Sequence, residues 1–80
     1  MQIKILAFGI AKDIFGSANI NVELRNNAKA EELKDLLEEK YPKLKQLASY
    51  MLAINNEYAQ NDSPISITDE VAVIPPVSGG

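Results

Sequence analysis

The chain has 80 residues, 46% of them apolar and 24% charged, with eleven acids against eight bases and a net charge of −3. A chain this short makes one domain and buries only about 60% of its unfolded surface, so a single core must suffice. It contains no cysteine and no histidine. That excludes disulfide staples, thiolate or imidazole metal sites, and Ser-His or Cys-His nucleophilic catalysis. The bases are scattered rather than gathered in the stripe that neutralises phosphates, so nucleic acid is not an expected partner. No N-terminal run looks like a signal peptide, and no apolar stretch approaches the ~20 residues that span a bilayer. The expectation is a soluble, cytoplasmic protein with no membrane partner.

Residues Gln2 to Phe8 read as a strand, rich in β-branched and long apolar side chains. Ile3, Ile5 and Ala7 share one face of it, and Lys4, Leu6 and Phe8 share the other. Ile10 to Ala18 contains Asp13, Gly16 and Ser17, which suit a loop. Ile20, Val22 and Leu24 then alternate with Asn21, Glu23 and Arg25, the period-2 pattern of a half-buried strand. The two strands are expected to form a hairpin with a long connection. Asn26 or Asn27 could cap a helix. From about Ala28 to Tyr41 the period becomes helical, with Leu33, Leu36, Leu37 and Tyr41 along one face and acids in the first turn, until Pro42 stops it.

Leu44 to Ser49 suggests a short helical turn, and Met51 to Ile54 a strand. Asn55-Asn56 suits a turn that tolerates positive φ, and Glu57 to Ala59 a short edge strand. Gln60 to Ser66 is polar loop, and Glu70 to Ile74 is a last strand ended by prolines. The order ββαββ-β predicts an α+β fold, one main helix covering a mixed sheet of about four to five strands. The domain is assigned to residues 1–74, and residues 75–80 to a flexible tail.

Few constellations carry chemistry. Gly9 and Gly16 are isolated and make no phosphate loop. The paired carboxylates Glu31-Glu32, Glu38-Glu39 and Asp69-Glu70 fit a solvated helix face and a turn better than an acid–base pair in a desolvated cleft. Phe8 and Leu6 are out of phase with Ile3 and Ile5, and Ile74 is out of phase with Val71 and Val73. They face either a protein partner or a second small apolar cluster. The segment Ile74-Pro75-Pro76-Val77-Ser78-Gly79-Gly80 stands apart. Its prolines favour an extended spacer, and its two glycines lack the Cβ that a narrow site would exclude. At about 3.3 Å per residue the last six residues can reach roughly 20 Å from the sheet.

Over its whole length the chain resembles the small, sulfur-carrier subunits of molybdopterin synthase, a ubiquitin-like family of the β-grasp type. The likeness rests on Ile3-Lys4-Ile5-Leu6-Ala7-Phe8, on Leu33, Leu36 and Leu37 before Tyr41-Pro42, and on Ala53-Ile54-Asn55-Asn56. It rests above all on Asp69-Glu70-Val71-Ala72-Val73-Ile74-Pro75-Pro76-Val77-Ser78-Gly79-Gly80. Departures from the family pattern are Thr68 and Asn56, where glycine is usual, and Lys12-Asp13, where an Arg-Glu pair is usual. The last change replaces a planar bidentate donor by a point charge.

The resemblance implies that a ubiquitin-activating-type adenylyltransferase joins the Gly80 carboxylate to AMP with ATP and Mg2+, and that a sulfur donor converts the acyl-adenylate to a thiocarboxylate. Gly80 then gives its sulfur to the cyclic pterin phosphate precursor inside the synthase large subunit, the two subunits forming a heterotetramer. Gly79, Ser78, Val77, Pro76 and Pro75 would thread the tail into the partner, and Phe8, Tyr58, Ile74 and Lys12 would form the docking surface. The chain would bind no cofactor and would not be an enzyme alone. Alternative roles are a protein modifier conjugated through Gly80, a sulfur carrier for thiamine or tRNA thiolation, and a passive adaptor.

Overall fold

Alternation in the sequence becomes a sheet in the computed structural model, which describes residues 1–47 and 49–76. The elements in chain order are β1 (Gln2–Ala7), α1 (Ile10–Phe15), β2 (Asn19–Glu23), α2 (Ala30–Lys40), a 3-10 turn (Pro42–Gln46), β3 (Met51–Ile54), β4 (Glu57–Tyr58) and β5 (Val71–Ile74). The five strands lie in the order β2-β1-β5-β3-β4. β1 and β5 run parallel at the centre, and the remaining neighbours are antiparallel. With α2 packed on one face, this is the ubiquitin-like β-grasp architecture.

The alternation of β1 and β5 decides which face is inside. Ile3, Ile5, Val71 and Val73 are buried and meet Leu33 and Leu37 of α2 in one core with Val22, Leu44 and Leu52. Each such aliphatic side chain contributes about 1.5–3 kcal/mol of hydrophobic free energy, opposed by the entropy of ordering the chain. Leu36 and Tyr41 flank this seam, half-buried. Asn55 and Asn56 adopt φ of 52° and 68°, and join β3 to β4 as their side chains allow.

Three local expectations are corrected. The segment after β1 is not loop throughout, because Ile10–Phe15 is helical. Ala11 and Phe15, four residues apart, are buried on one side of that turn, and the Phe15 ring packs at 4.7 Å on Tyr41. Asp13, Gly16 and Ser17 are the polar side and the exit of the helix. Gly16, at φ 76°, closes it by donating its N–H to the Lys12 carbonyl.

Second, neither Asn26 nor Asn27 caps α2. Asn27 turns the chain with φ 65°, and Lys29 stands at the cap position, its N–H donating to the Glu32 carboxylate at 2.9 Å. The amides of Ala30 and Glu31 donate to the carbonyls of Ser63 and Asn61. A distant loop therefore satisfies donors that a local side chain usually takes. Third, the turn before β3 is centred earlier than expected, beginning at Pro42, where proline suits a first helical position.

Thr68, where the family favours glycine, has no left-handed backbone. Its turn is held instead by Asp69, whose carboxylate accepts from the Ser66 N–H at 2.7 Å and from the Asn55 side-chain amide at 2.9 Å. Tyr50 ties the approach to β3 back to α2, its hydroxyl donating to Glu38 at 2.6 Å. Burial pushes the Tyr50 phenol well above its ordinary value, and the Glu38 carboxylate adds to the shift. A raised phenol pKa favours the fold below the unfolded value of about 10 and loses that contribution as the pH rises further. Tyr50→Phe is expected to cost about 1 kcal/mol at neutral pH and to flatten the alkaline loss of stability. Urea melts of both chains between pH 7 and pH 11 would show it.

Candidate functional site: the outer sheet face and the start of the tail

The face of the sheet opposite α2 divides by chemistry. Gln2, Lys4, Asn19, Asn21 and Glu23 make the β1–β2 part polar. Toward the other edge, register aligns Leu6 with Ala72, Ala72 with Ala53, and Ala53 with Tyr58, a row of side chains crossing four strands. Ile74 lies opposite Met51 in the next row, and Phe8 follows the Ala7–Val73 pair on β1. Phe8 is 50% exposed, Met51 43% and Tyr58 67%. Exposed large apolar side chains gathered on one sheet face are the mark of an interaction surface.

Phe8, Tyr58 and Ile74, but not Met51, border a shallow groove of about 250 Å³. Leu6, Ala53 and Ala72 lie along it, and Asn56 and Glu70 stand at its polar end. The volume lies below the ~300–1,000 Å³ of ordinary small-molecule pockets. It suits side chains of a protein partner. Among the described residues no group of three or more acidic, His or Cys side chains is placed to hold a metal.

The structure brings Phe8, Tyr58 and Ile74 together around one groove. Lys12 is exposed on α1 and does not line the groove. The face-or-cluster alternative for Leu6, Phe8 and Ile74 resolves toward an open face. One carboxylate of each acid pair is engaged structurally. Glu32 receives two bonds from Arg25 at 2.6 and 2.7 Å, Glu38 accepts from Tyr50, and Asp69 holds its turn. The Arg25 guanidinium holds the Glu32 carboxyl below its ordinary value, helped by the Lys29 amide. The pair is exposed to solvent, and such pairs contribute little to stability.

The tail starts at the end of β5, the central strand, beside the bulk of this face. Pro75 is half-buried and Pro76 exposed. Val77, Ser78, Gly79 and Gly80 lie outside the described residues. Sequence reasoning missed Gly9, which has φ 55° and ψ −131°. A Cβ built there would sit 3.2 Å from Pro75 Cγ, so glycine serves both the backbone angle and the close approach of the tail. The available signal was position, since Gly9 follows Phe8 at the end of the strand parallel to β5.

Residues 5–80 match the model of the ThiS family. The molybdopterin synthase sulfur carrier subunit of Dictyostelium discoideum is 39% identical over 83 aligned positions, covering 99% of this chain and 96% of that protein. Among solved structures, the chain resembles a putative molybdopterin converting factor subunit 1 from Pyrococcus furiosus with a TM-score of 0.87. Identity to it is 23%, with 96% of this chain and 99% of that one covered. A chain in the complex of subunits 1 and 2 of the molybdopterin-converting factor from Helicobacter pylori is 25% identical, with a TM-score of 0.70 and full coverage of both chains.

Proposed function

Because the chain belongs to the ThiS family and is related to sulfur carrier subunits of molybdopterin synthase, we propose that it carries sulfur on Gly80 as a thiocarboxylate and delivers it to the pterin precursor of the molybdenum cofactor. The observation that carries this reading is the position of the exposed apolar face around the end of β5, the strand that leads into Pro75-Pro76. A partner that grips the face receives the tail at a defined point.

Chemistry at Gly80 needs activation, since a carboxylate is resonance-stabilised and electron-rich. In the proposed sequence a carboxylate oxygen attacks the α-phosphorus of ATP on a ubiquitin-activating-type adenylyltransferase, and pyrophosphate leaves. Sulfur from a donor then attacks the acyl carbon, and AMP leaves, with the thiocarboxylate formed. ATP and Mg2+ are held by the activating partner, and the carrier binds no cofactor of its own. The charged tail next enters the large subunit of the synthase, in a heterotetramer with two carriers. The complex of the two Helicobacter pylori subunits supports a large-subunit partner of this kind. The carrier is thus a cytoplasmic co-substrate and not an enzyme by itself.

Incubation with the activating enzyme, ATP, Mg2+ and a sulfide source is expected to exchange one oxygen for sulfur at Gly80, read by intact-mass spectrometry and by fragmentation of the terminal peptide. An unchanged mass with an enzyme that charges another carrier, or recovery of Gly80 only in amide linkage to lysines, would overturn the proposal.

A further inference from the structure

Met51 is 43% exposed and sits directly opposite Ile74, the last residue of β5 before the tail. Side chains paired in this way on one face have Cβ atoms about 4.5–5.5 Å apart. Met51 therefore adjoins the apolar groove through Ile74 without lining the groove itself. The chain has no cysteine and two methionines, and the other, Met1, is partly buried against the core. Met51 is thus the accessible sulfur of a protein proposed to work among reactive sulfur species. Its β5 side is apolar, with Ile74 opposite, while toward α2 and the end of β4 it shares a surface depression with Lys34, Tyr50, Gln60 and Asn61.

We propose that Met51 is a redox-sensitive modification site, at which oxidation to the sulfoxide weakens docking of the carrier through its apolar face. The proposal rests on the docking reading above. In the step a hydroperoxide gives one oxygen to the thioether, an S–O bond forms as the O–O bond breaks, and hydrogen peroxide leaves as water. Sulfur is oxidised by two electrons and the peroxide reduced by two. The product is a strong dipole on a surface that a partner must dehydrate. Methionine sulfoxide is reducible enzymatically, so the modification can be reversed. Docking itself covers Met51, which makes the free carrier the susceptible form.

The test uses the full-length carrier, hydrogen peroxide and the purified activating enzyme. Peptide mass spectrometry is expected to find oxygen added at Met51 well before Met1, and bound activating enzyme to slow the addition. The dissociation constant of the oxidised carrier, measured calorimetrically, is expected to rise about tenfold, as for an unpaired polar group in an interface. Met51→Leu, compared with itself before and after peroxide, should keep whatever affinity it has, and sulfoxide reductase should restore the oxidised wild type. Equal affinity before and after complete oxidation, with Phe8→Ala still weakening binding, would overturn the redox proposal alone. Equal affinity for Phe8→Ala as well would remove the docking reading and this proposal with it.

Discussion

Replacing Gly80 with valine, or adding one alanine after it, is expected to lower sulfur transfer about 100-fold or more and to leave the thermal melt of the domain unchanged. Among the described residues the hydrophobic core runs from Ile3 to Val73, and a glycine has no side chain to contribute to it, so a change at Gly80 deletes no side-chain packing. The proposed chemistry depends on placing one terminal carboxylate oxygen against the α-phosphorus of ATP and later the thiocarboxylate sulfur against the pterin. Displacing a reacting atom by about 1 Å can cost on the order of 100-fold in rate. A β-branched side chain at Gly80 does this through bulk, and an added residue does it by moving the carboxylate one residue along the chain. Single-turnover transfer with the synthase large subunit measures the first effect, and calorimetry the second. Wild-type transfer by the extended chain, with its intact mass verified after the reaction, would remove Gly80 as the reacting group.

Much of the outer face was legible because strand periodicity is a strict two-residue rule. Once Ile3, Ile5, Val71 and Val73 are taken as core, Leu6, Phe8 and Ile74 must point the other way, and they do. Tyr58 was placed by family likeness, since a two-residue strand carries no period of its own. Met51 was read as part of a strand, but its exposure depends on which strand lies beside it. That neighbour is β5, brought between β1 and β3 by a crossover that no local pattern announces. The same reason hid Gly9, whose role appears only when Pro75 arrives from the far end of the chain. The short helix α1 escaped because its two buried residues, Ala11 and Phe15, are too few to establish a period among polar neighbours. At α2, long-range bonds from Ala30 and Glu31 to Ser63 and Asn61 took over the work expected of an asparagine cap. The site was therefore readable where a face alternates, and hidden where two distant segments meet.

Phe8→Asp is the complementary case, a change expected to spare the fold and the tail yet lower affinity for both the activating enzyme and the synthase large subunit about 100-fold or more. Phe8 is half exposed and follows the last residue of β1, so replacing it removes little from the core. Aromatic anchors at the centre of an interface account for a disproportionate share of binding energy. Aspartate removes that anchor and also leaves a charge that docking would strip of water. An uncompensated buried charge costs about 3–5 kcal/mol, and each 1.4 kcal/mol is about tenfold in affinity. Asp35→Lys is the control, since Asp35 is exposed on α2, on the opposite side of the sheet. It changes net charge by two while touching nothing in the groove. Titration calorimetry should show wild-type affinity for Asp35→Lys and a collapse for Phe8→Asp, with matching melting curves. If both substitutions weakened binding equally, the groove would not be what governs association, and the tail would have to find its partner without this face of the sheet.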